Sequence, residues 1–234
     1  MKKSWGAAAA LLAAVLPAQA ADPGLLPKSA LYDPFTLVPP PPAAGSPQAL
    51  TELAELKKYQ ATATQEQLAL AKSDNDNENG TIYAAVLGPA WDLSKLLATA
   101  KLLDDVTGSE DGFTAAPKAA FHRDRPWVVD PSIKTCAPSK PTQDHASYPS
   151  GHATRGYGMG IVLAHLMPNH AGAIMTRTAL FAENRLICGF HFRSDIVAGQ
   201  EYGTLMAIGL MQNPQFQREM AAAKTELVSA GLAQ

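Results

Sequence analysis

The sequence predicts an all-α protein that folds as one packed bundle of helices. Apolar residues recur at spacings of three and four along most of the chain, and the alternating pattern of β-strands is almost absent. With 234 residues, of which 47% are hydrophobic and 17% charged, the chain can bury one sizeable core. It contains no internal repeat, which argues against a solenoid.

Residues 1–20 have the features of a cleavable signal peptide. Lys2 and Lys3 precede an apolar run from Ala7 to Leu16, and small residues ending at Ala20 follow that run. The run is shorter than the ~20 residues that a membrane-spanning helix needs. We therefore expect export, cleavage after Ala20, a periplasmic location and no membrane span in the mature chain.

The next segment, residues 21–45, is predicted to be an extended arm. It is rich in proline, with four consecutive prolines from Pro39 to Pro42, and proline is incompatible with the interior of a helix. The helical domain is expected to cover residues 46–234. Ser46 is suited to cap its first helix, and Pro47 is suited to the first helical position.

Helical periodicity divides this domain into successive segments. The first helix is predicted from Pro47 to about Lys72, and a polar loop, Ser73–Gly80, follows it. The remaining helices are expected at residues 81–90, 92–106, 112–124, 151–167, 170–185 and 195–211, with a polar helical tail that ends near Ser229.

Two patterns resemble ligand-binding motifs without meeting their requirements. The polar loop has the composition of a calcium loop, but Asn79 occupies the sixth position, where glycine is needed. Gly156, Gly158 and Gly160 lack the preceding strand and the spacing of a dinucleotide-binding motif. We interpret these glycines as positions at which helices pack closely.

The charge of the chain argues against a general nucleic-acid partner. The net charge is -2 and the sequence pI is near 6.3, whereas binding by counterion release needs a large basic surface. We therefore expect no partner that is recognised by bulk charge.

The chain contains two cysteines, Cys136 and Cys188. In an oxidising compartment an even count is most simply explained by one disulfide, and two buried free thiols are the alternative. The disulfide would close a loop of about 50 residues and contribute roughly 4 kcal/mol through the reduced chain entropy of the unfolded state.

Three segments carry candidate functional residues, and the first contains Lys118 and Arg125. These cations are seven residues apart, which is two turns of helix, so we expect them on one helix face before Pro126 ends the pattern. Taken alone, such a pair is more typical of a solvated surface. His122 and Arg123 lie on neighbouring faces and are expected to be solvated.

The second segment, Tyr148–His152, is predicted to open a helix. Its Pro-Ser-Gly turn would leave the first helical amides pointing outward, and such an end binds anions. His152 would lie beside a bound anion, within reach to donate a proton. An ordinary helix cap with an exposed histidine is the alternative.

The third segment contains His191 and Asp195, which are four residues apart. If the segment turns or starts a helix, the carboxylate can fix the tautomer of the ring and raise its nucleophilicity. Arg185, six residues before the histidine, adds a third cation. A structural hydrogen bond between the two side chains is the alternative.

Together these segments resemble the PAP2 (type 2 phosphatidic acid phosphatase) superfamily, and most closely its class A bacterial non-specific acid phosphatases. The family's three motifs are Lys-x6-Arg-Pro, Pro-Ser-Gly-His and Ser-Arg-x5-His-x3-Asp. They are matched here by Lys118, Arg125, Pro126, Pro149, Ser150, Gly151, His152, Arg185, His191 and Asp195. Asn184 replaces the serine of the third motif, and Phe192 and Arg193 stand where these enzymes commonly carry Trp and Gln. The resemblance covers roughly residues 36–212.

The resemblance implies a helical bundle of the PAP2 and vanadium haloperoxidase type that hydrolyses phosphate monoesters of broad range without metal or other cofactor. Lys118, Arg125 and Arg185 would bind the phosphoryl oxygens together with Ser150 and the amides of Gly151 and His152. His191 would be the nucleophile that forms a phosphohistidine, and Asp195 would orient it. His152 would protonate the leaving group and later activate water. The four remaining histidines, His122, His145, His165 and His170, lack the spacing of a zinc site.

Several expectations follow from this interpretation. We expect an acidic optimum, inhibition by phosphate or vanadate, and a disulfide that ties two active-site loops together. Phosphotransfer to alcohols would be a variant of the same reaction, and a homo-oligomer is compatible with the family. A vanadate-dependent haloperoxidase and a non-catalytic periplasmic oxyanion-binding protein are the alternative functions. The sequence leaves open the preferred phosphomonoester and the effects of Asn184, Phe192 and Arg193.

Overall fold

The computed structural model describes Leu25 and residues 38–234. The predicted signal peptide, residues 1–20, and most of the predicted arm, residues 21–45, lie outside the described residues. Residues 39–42 of the arm run without helical structure, and the Tyr148 hydroxyl donates a hydrogen bond to the Pro39 carbonyl.

The described residues form an all-α structure without β-strands, so the predicted fold class is confirmed. Short 3₁₀ turns connect some of the helices at residues 80–83, 141–143 and 168–170. The helices are α1 (Pro47–Thr62), α2 (Gln65–Asp76), α3 (Ala84–Leu87), α4 (Leu97–Phe121), α5 (Pro126–Val129), α6 (Gly151–Leu166), α7 (Ala171–Ile187), α8 (Arg193–Gln212) and α9 (Pro214–Ser229).

The helix predicted from Pro47 to Lys72 is divided into α1 and α2. Thr64 starts the second helix: its hydroxyl accepts a hydrogen bond from the Gln67 amide, and the Gln67 side chain accepts one from the Thr64 amide. This reciprocal cap satisfies amides that a continuous helix would bond internally, so it stabilises a new helix start. Because α2 continues to Asp76, half of the predicted polar loop is helical.

Two further boundaries differ from the prediction. Residues 92–106 and 112–124 were expected to form separate helices, but α4 runs unbroken through the polar segment between them and contains Pro117. It ends at His122, which has a left-handed backbone with φ of 44°. In contrast, the helix expected at residues 81–90 is reduced to a 3₁₀ turn and the single turn α3, because Gly88 leaves helical geometry with φ of 76°.

Helix α6 lies at the centre of the bundle and packs closely against α7 and α8. A side chain added at Gly158 would meet Met206 of α8, whereas one added at Gly156 or Gly160 would meet Phe181 or Thr178 of α7. The glycines therefore let two neighbouring helices approach α6 from different sides. This confirms the interpretation of these glycines as packing positions.

The close approach of α6 and α8 also depends on glycines of α8. A Cβ atom at Gly203 would lie 2.4 Å from the carbonyl oxygen of Thr154, and one at Gly199 would lie 2.5 Å from that of Ser150. Since both obstacles are backbone atoms at the start of α6, the register of the two helices is fixed at the end where the predicted site residues lie.

Among residues 38–234, no helix combines the length and apolar character that crossing a membrane requires.

The packing of α6 on α8 can be tested with the substitution Gly203→Ala. We expect it to lower the free energy of unfolding by about 1–3 kcal/mol, because the backbone of α6 has to move to admit a methyl group. Gly108→Ala is the matched control: Gly108 lies in α4 with no atom within 4 Å of an added Cβ, and alanine there should stabilise by roughly 0.5–1 kcal/mol. Denaturant unfolding of both variants measures the difference, and equal stability of Gly203→Ala and wild type would contradict the packing argument.

Candidate active site

A cavity of about 580 Å³ opens where the start of α6, the second half of α4 and the segment after α7 meet. Most of the residues predicted to form the site line this cavity, namely Lys118, Arg125, Gly151, His152, Arg185 and His191. Two others, Ser150 and Asp195, are fully buried and do not line it. The three sequence motifs therefore come together in space.

Lys118 and Arg125 reach the cavity from different elements. The expectation that they share one helix face is wrong, because α4 ends at Phe121 and Arg125 directly precedes α5. The amide of Arg125 donates to the Asp144 carbonyl at 2.7 Å, and its Nη1 donates to the Phe190 carbonyl at 2.7 Å. Backbone contacts on both sides of the chain thus place this guanidinium in the cavity.

The second motif forms the N-terminus of α6, as predicted. Ser150 is the N-cap, and its hydroxyl oxygen accepts a hydrogen bond from the Ala153 amide at 3.3 Å. The amides of Gly151 and His152 are the first two of the helix and have no acceptor within it. Because the Ser150 hydroxyl serves the helix, its direct contact with a bound phosphate stays a prediction.

The third motif turns into the cavity directly after α7. Gly189 has a left-handed backbone with φ of 68°, and the Lys134 carbonyl approaches so closely that an added Cβ would lie 2.3 Å from it. Only glycine is compatible with both conditions. The turn carries His191, which is 1% exposed, to the cavity wall.

The contacts of His191 define its tautomer. Arg125 Nη1 lies 2.8 Å from Nε2 of the ring, and an arginine N–H group only donates. The same Nη1 lies 3.3 Å from Nδ1, so the shorter contact favours an unprotonated Nε2 and a proton on Nδ1, which lies 3.5 Å from Oδ2 of Asp195. The predicted pairing of the histidine with Asp195 is present, and it leaves the lone pair of Nε2 on the side of Arg125.

The Asp195 carboxylate is held by three hydrogen bonds from other residues. Its Oδ2 accepts from the Ser147 hydroxyl at 2.6 Å and from the Phe192 amide at 2.8 Å, and its Oδ1 accepts from Arg123 Nη1 at 2.6 Å. The expectation that Arg123 is solvated is therefore wrong. Its side chain is 10% exposed and also donates to Glu52 and Ser194.

Burial and mutual repulsion dominate the electrostatics of the cavity. Burial, and next to it the charge of Arg125, lowers the pKa of Arg185, and burial is also the main cause of the lowered pKa of Arg125 and of Lys118. Burial followed by the charges of Arg125 and Arg185 lowers the pKa of His191 well below its ordinary value. Burial and the cations therefore outweigh Asp195, and together they favour the neutral form of His191. A bound anion would relieve the repulsion among the cations.

The same forces act on His152. Burial, Arg185 and Arg125 lower the pKa of its ring well below the ordinary value, while a hydrogen bond to the Asn75 backbone opposes them. The Nε2 atom of His152 is buried and accepts or donates no hydrogen bond within the described residues. It is therefore free to bond to a group in the cavity.

Comparison with known proteins identifies the family. Residues 93–219 match the PAP2 superfamily, and this match covers more than half of the chain. The acid phosphatase of Zymomonas mobilis is 31% identical over 202 residues, which is 85% of this chain and 76% of that protein. The non-specific acid phosphatase of Providencia stuartii is 29% identical over 214 residues, 86% of this chain and 83% of that protein.

The chain belongs to the PAP2 superfamily. The predicted family and the prediction that the chain is a phosphatase of the acid phosphatase class are thereby confirmed. The fold agrees with a solved structure, the transmembrane PAP2 type phosphatidylglycerolphosphate phosphatase from Bacillus subtilis. Its TM-score is 0.53 at 14% identity, with 71% of this chain and 86% of that chain covered.

Three residues of this PAP2 protein differ from the class A motifs, and none of them lines the cavity. Asn184 donates to Asp74, which also binds Arg177. Arg193 forms ion pairs with Glu55 and Glu183. The ring of Phe192 packs against the Arg123 guanidinium, with 4.6 Å between the guanidinium carbon and the ring centroid. These three residues therefore support the framework behind the PAP2 site.

Other residues of the PAP2 cavity were not expected from the sequence. Glu110, Thr114 and Lys118 form one hydrogen-bonded row on α4, in which Lys118 donates to Thr114 at 2.9 Å and Thr114 to Glu110 at 2.6 Å. Their spacing of four residues was a readable signal of a shared helix face. Arg155 lies three residues after His152 on α6, a spacing that also predicts a shared helix face. Asn75 and Glu78, from the polar loop, have no local signal.

Cys136 and Cys188 form the predicted disulfide of this PAP2 protein. The Cys136 amide also donates to the Cys188 carbonyl at 3.3 Å, and the next residue, Ala137, lines the cavity. The covalent link therefore joins the loop before the second motif to the segment that carries His191. Among residues 38–234, no three His, Cys, Asp or Glu side chains are grouped so that they could hold a metal ion.

Reduction of the disulfide is expected to lower both heat resistance and activity. The link removes about 4 kcal/mol of chain entropy from the unfolded state and fixes the position of the His191 segment. Thermal unfolding and turnover are measured with and without reductant, after thiol titration confirms reduction. The double substitution Cys136→Ser and Cys188→Ser is the control, because reductant should have no effect on it. Unchanged stability and turnover after confirmed reduction would show that the link is incidental.

Proposed function

We propose that this PAP2 phosphatase hydrolyses small phosphate monoesters of broad range through a phosphohistidine on His191, without a metal ion, after export to the periplasm. The observation that carries the proposal is the position of His191, whose Nε2 lies 2.8 Å from Arg125 Nη1 in a cavity that also holds Lys118 and Arg185. A nucleophilic lone pair surrounded by cations is suited to attack on a phosphoryl group.

In the first step, the three cations and the amides at the start of α6 bind the phosphoryl oxygens. The lone pair of His191 Nε2 attacks phosphorus in line, and the ester P–O bond breaks. The electron pair goes to the leaving oxygen, which takes a proton from His152. The Nδ1 proton of His191 faces Asp195, whose negative charge stabilises the positive charge that develops on the ring.

In the second step, His152 is neutral and removes a proton from water. The oxygen of this water attacks phosphorus, the P–N bond breaks, and its electron pair returns to His191 Nε2. Phosphate leaves, and both histidines regain their starting protonation states. An alcohol in place of water gives phosphotransfer by the same route.

The positive charge of the cavity and the similarity to acid phosphatases support this reaction over the alternatives. Transferring a phosphoryl group requires stabilisation of its oxygens, and partly buried Lys118 together with buried Arg125 and Arg185 supplies three positive charges for that purpose. The similar acid phosphatases of Zymomonas mobilis and Providencia stuartii favour phosphoester hydrolysis over halide oxidation or oxyanion storage. Phosphate and vanadate should bind in the same cavity and inhibit.

The proposed nucleophile is tested with His191→Ala. Purified mature protein should release phosphate from an aryl phosphomonoester in excess chelator, and the substitution should abolish this release because no phosphohistidine can form. Acid-labile, base-stable labelling of wild type by a radioactive phosphomonoester traps the intermediate. Absence of turnover by the folded protein would contradict the proposed function, and turnover by the variant would contradict the role of His191.

The activity is expected to be highest at acidic pH. His152 has to be protonated to act as an acid, and its pKa in the free enzyme is lowered by burial and by Arg185 and Arg125. The alkaline limb of kcat/KM should therefore lie below about pH 6.5, the ordinary value for histidine. A bound phosphoryl dianion raises the pKa of His152, so the alkaline limb of kcat should lie at higher pH. A rate that continued to rise through pH 9 would contradict the assignment.

A further inference from the structure

Glu78 lies against the ring of His152. This residue follows α2, in the polar segment of the chain, and its Oε1 is 3.1 Å from Nε2 of His152. No other carboxylate oxygen among the described residues is within 4 Å of a nitrogen of that ring. The phosphatase motifs do not include Glu78, and the mechanism above does not use it.

The position of Glu78 is fixed by a second contact. Its Oε2 forms an ion pair with Arg155, which lies one turn after His152 on α6. The same guanidinium donates to Glu110 at 2.7 Å, and Glu110 is packed so closely on Gly151 that an added Cβ would lie 2.5 Å from its Oε1. The carboxylate of Glu78 is thus attached to the helix that carries His152.

The geometry of the contact distinguishes it from an ordinary ion pair. Although the two atoms are 3.1 Å apart, Nε2 of His152 makes no hydrogen bond to Glu78, since the carboxylate lies off the direction of an N–H bond. The proton on Nε2 therefore remains available to another acceptor. A negative charge at this distance still stabilises the protonated ring.

The surroundings of His152 make such a charge necessary. Most of the other ionisable groups that line the cavity are cations or neutral bases. These ionisable groups include Lys118, Glu110 and Asp111 of α4, Arg125, Arg155 of α6, Arg185 of α7, and His191. A residue that has to be protonated before each turnover is thus placed among four cations, and Glu78 is the carboxylate in contact with it.

We propose that Glu78 is a positioning residue for the leaving-group acid: held by Arg155, its carboxylate stabilises the protonated ring of His152 for transfer to the leaving oxygen. The inference rests on the proposed function. In the step itself the Nε2 proton of His152 passes to the leaving oxygen as the ester bond breaks, and Glu78 neither gains nor loses a proton. Its contribution should therefore be greatest for alkyl esters, whose leaving alkoxides need a proton more than aryl oxides do.

The test compares Glu78→Gln and Glu78→Asp with wild type on an alkyl phosphomonoester and on p-nitrophenyl phosphate. For Glu78→Gln we expect kcat/KM to fall by about tenfold or more on the alkyl ester and by much less on the nitrophenyl ester. The alkaline limb of the alkyl reaction should move to lower pH by roughly one unit. Glu78→Asp, which keeps the charge, should recover part of the loss. Inhibition by inorganic phosphate should be as strong or stronger in Glu78→Gln, because an anionic neighbour is removed.

Glu201→Gln is the matched control, since Glu201 is an exposed carboxylate of α8 outside the cavity. Equal losses of Glu78→Gln on both esters, or an unshifted pH profile, would overturn the inference. If Glu78→Gln does not fold, Glu78→Ala, which also removes the charge, takes its place: a pH profile and ester preference identical to wild type would overturn it. Failure of the proposed function is distinguished because it would remove turnover from wild type and Glu201→Gln as well.

Discussion

The structure around the site depends on the buried carboxylate of Asp195. A buried charge costs several kcal/mol unless hydrogen bonds compensate it, and here Ser147, Phe192 and Arg123 provide them from separate parts of the chain. The Asp195 carbonyl also accepts the Ser150 amide at 2.9 Å, next to the start of α6. The segment that carries His191, the start of α6 and the end of the first motif are therefore held by one residue. A shift of any of them would leave a buried charge without its hydrogen bonds.

The two histidines of the cavity differ in the charged residues that they contact. The side that contains Arg125, Arg185 and Lys118 favours the neutral form of His191 and suits a phosphoryl group. The carboxylates of Glu78 and Glu110 lie beside the same cations, and Glu78 contacts His152, the proposed proton donor. Two histidines in one cavity thus share the same cations but contact different carboxylates, Asp195 for His191 and Glu78 for His152.

Much of the fold and of the site was predictable because it depends on local patterns in the sequence. Helical periodicity indicated the bundle, and the Pro-Ser-Gly turn indicated the start of α6. The break between α1 and α2 was missed because apolar spacing continues through it, although Thr64 and Gln67 carried a capping signal. The role of Arg123 could not be read, because it depends on the left-handed turn at His122 and on partners from distant segments. Glu78 reaches His152 only through the tertiary fold.

The ion pairs that support the site also constrain when it can form. Carboxylates of α1 and α2 meet their guanidinium partners far along the chain: Glu52 pairs with Arg123 across 71 residues, and Asp74 with Arg177 across 103. Glu55 pairs with Arg193 across 138. Contacts of such high sequence separation form slowly, because a long loop has to close before any contact stabilises it. The first helices emerge from the ribosome long before their partners, so the site takes shape only once nearly the whole chain is present.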